Sequence, residues 1–213
     1  MQKLRSLWAK RKEILEWLWA NRRLVVALCF SVLFDLSIGL FCAYGLGKAL
    51  DREISVLVYL VAMFLALVPD FDVLHQKLLK GKVTGEHKNA MHYPLFILSA
   101  MVDTGFVISG GSPFWTLLFG LCPANHLAHD MCERGPGVAL GAPFWKGKWR
   151  RPRFVNGKLC FKMTPAESAI EDPMTIKEWL EREYMKPTVN LVVGVIAFLS
   201  AVIVVFLSKP PLF

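Results

Sequence analysis

Five apolar segments divide this chain, and they constrain its fold more than any other feature. The last, Val189–Leu207, has no charged residue, and the first, residues 24–46, has one, Asp35. Both are long enough to cross the hydrocarbon core of a bilayer, which takes about 20 apolar residues in a helix. Three shorter apolar segments lie between them, at residues 54–68, 93–109 and 113–127. The pattern predicts an all-α, polytopic membrane helix bundle with about five membrane helices.

Composition supports a membrane protein. Of 213 residues, 54% are hydrophobic, and the mean hydropathy of +0.42 is above that of a typical soluble domain. The formal net charge is +8. In an apolar chain this excess is more typical of basic cytoplasmic loops than of nucleic-acid binding, so no nucleic-acid partner is expected. The five cysteines form no C-x-x-C pair, which disfavours a disulfide framework or a thiolate zinc site.

The distribution of basic residues predicts an orientation. Lys and Arg concentrate in residues 1–23, 70–92 and 133–187, whereas the connections at 47–53 and 110–112 carry few of them. By the positive-inside rule, the N-terminus and both long loops lie in the cytoplasm and the C-terminus lies outside.

We expect one membrane domain over residues 1–213, in four parts. Residues 1–23 form an amphipathic interfacial helix with tryptophan anchors or, alternatively, a solvated helix packed on the protein itself. Residues 24–132 form a four-helix core, 133–187 a cytoplasmic insertion, and 188–208 the last membrane helix.

The insertion has its own local signals. Asn156-Gly157 lies between two short strand-like runs, which predicts a β-hairpin. Thr164 and Thr175 each begin a capping-box pattern, which predicts one or two short helices. We expect these elements to pack over the cytoplasmic mouth of the bundle.

All five histidines of the chain lie in one window of 55 residues, together with several carboxylates. Imidazole nitrogens and carboxylate oxygens are ligands of divalent metals, and ionisable groups at membrane depth are costly. A metal centre at a membrane face is therefore the first hypothesis. The residues concerned are His75, His87, His92, His126, His129, Asp70, Asp72, Glu86 and Asp130.

Two patterns within and near this window are informative. On a helix, His126, His129 and Asp130 share one face, so His126 and Asp130 can ligate one metal, with His129 as a further ligand or a supporting group. Asp35 lies 11 residues into the first segment, roughly 16 Å along the helix, and needs a metal, a histidine or a basic partner there. Asp103 is the analogous residue of the third segment. It is interpreted either as a further site residue or as a residue held by structural hydrogen bonds.

Taken in order, four short motifs resemble the YdjM-type family of LexA-binding, inner-membrane-associated, metal-dependent hydrolases. They cover about half of the chain, residues 30–145. The motifs are FDLSIG at 34–39, PDFD at 69–72, HKNAMHY at 87–93, and HLAHD at 126–130 followed by GAPF at 141–144. The chain departs from the family pattern at Asp35, where the family has histidine, and at Lys88-Asn89, where it has Arg-Gly. The family is distantly similar to zinc-dependent phospholipase C and the S1/P1 nucleases.

The resemblance implies a membrane-embedded hydrolase that cleaves a phosphoester of a lipid or other membrane-proximal substrate with metal-activated water. One or two divalent ions would be bound, with zinc favoured by the histidines and manganese or magnesium compatible. Asp72, Glu86 or His129 would transfer the proton. The ligands would be Asp35, Asp70, Asp72, His87, His92, His126 and Asp130. Lys88, Arg150 and Arg151 would contact an anionic group, or only reflect the positive-inside rule. His75 matches no motif and is interpreted as a loop residue.

Two other classes stay open. One is a non-catalytic membrane protein whose metal site stabilises the bundle or regulates a partner. The other is a metal or ion transporter, which is disfavoured because residues 110–120 offer few polar groups for a path to the far side. In each case we expect an integral protein of a bacterial inner membrane with its site on the cytoplasmic side.

Overall fold

The computed structural model describes residue 16 and residues 19–71, 92–132, 138, 149–155, 158–162 and 176–211. Most of the predicted N-terminal amphipathic helix and the helix start at Thr164 lie outside these residues. In the hairpin only the backbone is described, so the side chains of Arg150 and Arg151 lie outside as well. Several residues singled out in the sequence lie wholly outside the described residues: Asp72, His75, Glu86, His87 and Lys88.

Helices dominate the described part of the chain, with one hairpin inserted between them. A 3₁₀ turn, Val68–Asp70, follows the third helix. The helices are α1 Arg22–Ser31, α2 Leu33–Ala49, α3 Val56–Leu67, α4 Pro94–Ile108, α5 Pro113–Cys132, α6 Ile176–Tyr184 and α7 Val189–Leu207, and the strands are β1 Trp149–Val155 and β2 Lys158–Lys162.

Four of the five apolar segments form single helices, and the first is divided. α1 and α2 are separated at Val32 but together make a 28-residue apolar stretch, Arg22–Ala49. That stretch and α7 are the two helices, among the residues described, that are long and apolar enough to cross a bilayer. Val56–Asp70 and Pro94–Ile108 are shorter apolar helices. The structure confirms a mainly helical bundle with two candidate spans, and crossing by five helices stays a prediction.

α5 contacts α2, α3 and α4, and α7 packs against α2. Small residues allow α2 and α3 to approach each other closely. A Cβ atom added to Gly39 would lie 2.5 Å from the carbonyl oxygen of Ala62, so this contact requires glycine. The buried core of the bundle includes Leu40, Ala43, Val58, Tyr59, Leu65, Leu118 and Phe119.

The outward faces of α3, α4 and α7 are apolar. More than half of the surface of each of several large side chains is exposed, including Leu60, Phe64, Phe106, Ile196 and Phe206. Exposed apolar surface on this scale is typical of contact with another apolar phase. Together with the two candidate spans, it supports a bilayer environment.

Short turns bring the polar helix ends to one end of the bundle. Gly110 and Gly111 adopt φ angles of +62° and +83°, which allow α5 to return along α4. The N–H of Val56, at the start of α3, donates a hydrogen bond to the carbonyl of Pro211 at 2.9 Å. The start of α3 and the residues after α7 therefore lie together, and the end of α3 lies at the other end.

The hairpin and the helix after it agree with the sequence prediction. β1 and β2 pair antiparallel, with Val155 opposite Lys158, which agrees with the predicted hairpin. α6 begins at Ile176, directly after the predicted start at Thr175. α7 begins at Val189 after the N-cap Thr188, whose side chain accepts a hydrogen bond from the N–H of Leu191.

Candidate metal centre

Two prolines fix the polar residues at the ends of α3 and α4. Pro69 lies within the 3₁₀ turn Val68–Asp70, which follows directly on α3 and ends at this carboxylate. Pro94 is the first residue of α4, and it keeps Tyr93 extended, with φ −92° and ψ 105°. His92 therefore lies immediately before α4, at the same end of the bundle as Asp70.

The other site residues come from α5 and α2. His126, His129 and Asp130 occupy the last turns of α5 at spacings that place them on one face. Asp35 lies in the first turn of α2, just after the break at Val32. The interruption at Val32 is slight, since this residue keeps right-handed helical angles of φ −86° and ψ −9°, so Asp35 lies near the middle of the apolar stretch Arg22–Ala49.

Asp70, His92 and His126 form a group with the chemistry of a metal site. One ligand atom from each lies within 4.8 Å of the others. The Nε2 atom of His126 is 3.5 Å from Oδ1 of Asp70, and the Nε2 atom of His92 is 3.9 Å from the same oxygen. Asp130 lies beside this group, since its Oδ2 is 3.1 Å from Nε2 of His92 and 3.8 Å from Nε2 of His126.

These distances are those of ligands around one small cation. Ligands at zinc bond lengths of about 2.0–2.1 Å in a tetrahedron lie about 3.3 Å from one another. The four donor–donor distances given above range from 3.1 to 3.9 Å. Asp70, His92 and His126 thus approach each other as ligands of one ion do, and Asp130 lies against both imidazoles.

Asp35 contacts the other side of this group. Its Oδ1 lies 3.2 Å from Nδ1 of His126, whose Nε2 faces the donor group, and 3.1 Å from Nδ1 of His129. The ring of His129 also packs on Phe34, with 4.2 Å between ring centroids. One carboxylate therefore orients two histidines of α5. The sequence required a partner for Asp35, and the structure provides two imidazoles.

Most of this cluster is buried. Only 1% of His92 and 2% of His126 is exposed, and Asp35 and Asp130 are also buried. Unpaired groups of this kind would cost several kcal/mol. Within the described chain, neither ring nitrogen of His126 makes a hydrogen bond, although a carboxylate lies near each. A cation at the donor group would satisfy Nε2, so the donor set fits a divalent metal.

The structure brings six of the residues singled out in the sequence into one cluster and leaves one outside it. Asp103 is exposed on α4, away from the cluster. The ligand roles predicted for Asp72 and His87, and the proton-transfer role predicted for Glu86, concern residues outside the described chain. The six residues brought together are Asp35, Asp70, His92, His126, His129 and Asp130.

The sequence interpretation missed the surroundings of His129. Phe34 and a neighbouring cavity contact this histidine, and α7 lines the same cavity through Asn190 and Gly194. Asn190, a polar residue at the start of an otherwise apolar span, was the signal that could have pointed to it.

Comparison with known proteins identifies a family. No curated protein and no solved structure gave a significant match. A family model described as YdjM inner membrane protein matches residues 16–210, which is most of the chain and includes every residue of the cluster. The protein therefore belongs to the YdjM inner membrane protein family.

Proposed function

We propose that this protein is a membrane-embedded, metal-dependent hydrolase that cleaves a phosphoester of a lipid or another membrane-proximal substrate. The observation that carries the proposal is the convergence of Asp70, His92 and His126, with donor atoms within 4.8 Å of one another. Family membership and the apolar helices support the membrane setting.

In this proposal Asp70, His92, His126 and Asp130 hold one divalent cation. When bound, such an ion supplies Lewis acidity and hydroxide at neutral pH. Two imidazoles among the donors favour zinc, and manganese is compatible with the carboxylates. A second ion would require the predicted ligands Asp72 and His87.

Asp35 and His129 have supporting roles. Asp35 lies behind His126, with its Oδ1 3.2 Å from Nδ1, and this contact favours the ring orientation in which Nε2 faces the donor group. In the same way, Asp35 holds His129 through Nδ1 at 3.1 Å. A histidine oriented by a buried carboxylate is suited to accept and return a proton, so we assign proton transfer to His129.

A closed, non-catalytic metal site is the alternative, and the burial of His92 and His126 favours it. Asp70 favours the hydrolase, because 38% of its side chain is exposed. A catalytic site keeps one coordination position open to solvent or substrate, whereas a structural site is enclosed by protein. The donor group reaches the surface at Asp70, as a catalytic site requires.

The Asp130→Ala variant tests the proposal, with Asp103→Ala as a matched control on an exposed site of α4. Purified protein in detergent, loaded with zinc, is assayed with a chromogenic phosphoester. We expect hydrolysis by the wild type and the control, and loss of activity in Asp130→Ala with its helical circular dichroism retained. Equal activity in both variants would assign the hydrolysis to another site or to a contaminant.

A further inference from the structure

A cavity of about 210 Å³ lies beside the candidate metal centre, and the proposed hydrolysis gives it no role. It lies where the junction of α1 and α2 meets the end of α5, the start of α7 and Tyr184 at the end of α6. We call it the side cavity. Its lining includes Phe30, Ser31, Phe34, His129, Val193 and Gly194.

His129 links the side cavity to the metal-binding group. The residue lines the cavity, and its Nδ1 lies 3.1 Å from Oδ1 of Asp35, the carboxylate that also contacts His126. A molecule in the cavity would therefore lie against the histidine to which we assign proton transfer, next to the proposed reaction centre.

The walls of the side cavity are suited to an amphiphile. Phe30, Phe34 and Val193 give it apolar surface, while Ser31 and Asn190 add polar groups beside His129. A site of this composition binds a ligand with both hydrocarbon and polar parts better than it binds an ion or a sugar.

The rim of the cavity faces the apolar exterior of the bundle. Val193 lines the cavity and is 45% exposed, and Ile196, one turn further along α7, is 59% exposed. α7 is one of the two candidate membrane spans. The outer face of α7 therefore adjoins the cavity, and a lipid of the bilayer would approach the cavity from this side.

The volume limits how much of a lipid the cavity holds. Sites for whole drug-sized ligands measure about 300–1,000 Å³, larger than this cavity. The cavity fits the part of a lipid next to its headgroup, and the remaining hydrocarbon would stay in the bilayer.

We propose that the side cavity binds the hydrocarbon next to the headgroup of a phospholipid substrate that enters laterally from the bilayer between α1 and α7. The inference rests on the proposed function, because hydrolysis at the adjacent metal centre is what makes the bound lipid a substrate. It adds the substrate class and the route of entry.

Gly194 provides a way to fill the cavity. A Cβ atom at Gly194 would lie 3.7–3.9 Å from atoms of Phe34, Leu33 and Phe30, which is ordinary contact, so alanine fits. Because Gly194 lines the cavity, the larger leucine side chain is expected to occupy part of it. Gly45 of α2 is the matched control, since a Cβ atom there would meet nothing within 4 Å.

The test measures lipid binding by photocrosslinking, which does not depend on hydrolysis. The protein is reconstituted in vesicles of phosphatidylethanolamine and phosphatidylglycerol that contain a phosphatidic acid with a diazirine on its acyl chain near the glycerol. After irradiation, mass spectrometry locates and quantifies the crosslinks. The experiment is run with zinc-loaded and with chelator-treated protein.

We expect crosslinks at Phe30, Phe34 or Val193, with or without zinc. Gly194→Leu should lower their yield roughly tenfold, the effect of losing contact with about two methylene groups, while Gly194→Ala and Gly45→Leu should not. If Gly194→Leu does not fold, Val193→Trp fills the rim from an exposed position, and Val192→Trp is its control.

Crosslinks confined to the outward faces of the helices, or an unchanged yield in both cavity-filling variants, would overturn the inference. In that case hydrolysis of a water-soluble phosphoester by the same zinc-loaded protein would leave the proposed function standing. Specific cavity crosslinks in a protein that binds no zinc would support lipid binding while the proposed function fails.

Discussion

Asp35 of α2 contacts His126 of α5 through Oδ1 and Nδ1 at 3.2 Å, while the opposite nitrogen of the same ring faces Asp70 at 3.5 Å. The imidazole thus lies between a buried carboxylate and the donor group. A carboxylate behind a ligating histidine orients the ring and raises its basicity. This relationship makes Asp35 part of the site even though it lies outside the three-residue donor group.

The Asp35→Asn variant should bind zinc roughly 10–100-fold more weakly than the wild type, because the amide orients His126 less well and carries no charge. Affinity is measured by competition with a chromogenic chelator in detergent. Asp103→Asn removes an exposed carboxylate from an apolar helix and should leave the affinity unchanged. Wild-type affinity in Asp35→Asn would show that Asp35 does not support the metal centre.

His129→Gln should separate proton transfer from metal binding. The variant should keep its zinc, since His129 contacts Asp35 and is not one of the three residues whose donor atoms converge, and it should lose roughly 10²–10⁴-fold in turnover. Zinc content and hydrolysis rate are measured on the same preparation. Loss of zinc would make His129 a ligand, and an unchanged rate would remove it from the chemistry.

Gly39→Ala tests the close packing of α2 on α3. The added Cβ atom would overlap the Ala62 carbonyl, so the variant should lose about 1–3 kcal/mol in free energy of unfolding. The midpoint of denaturant-induced unfolding in detergent reports the change. Gly45→Ala makes the same substitution in the same helix where there is open space, and it should be neutral or stabilising by up to about 1 kcal/mol. Equal destabilisation by both would contradict the close approach.

The elements that could be predicted from sequence are those set by local signals. The uncharged segment at α7 gives the helix its bounds, and the Asn156-Gly157 signal predicts the antiparallel pairing of β1 with β2. The break at Val32 carries no such signal, because the residues on both sides are apolar and suited to a helix. The predicted orientation and the crossing by five helices stay predictions.

The composition of the site could be predicted better than its geometry. Asp70, His92, His126 and Asp130 stand out as metal-binding residue types at helix ends, and the structure brings them together. That Asp35 lies behind His126 depends on how α2 is rotated against α5, which no spacing within one helix determines. The side cavity was missed for the same reason, since it is formed by helices far apart in the sequence.

Metal content tests the central claim most directly. The wild type, His92→Ala/His126→Ala and the control Asp103→Ala are purified in detergent, reconstituted with zinc, freed of excess metal and analysed by elemental mass spectrometry. We expect about one equivalent in the wild type and the control, or two if a second ion binds, and a loss of at least one equivalent in the double variant. A wild-type protein without zinc after reconstitution, or equal zinc in all three proteins, would contradict a metal centre at Asp70, His92 and His126.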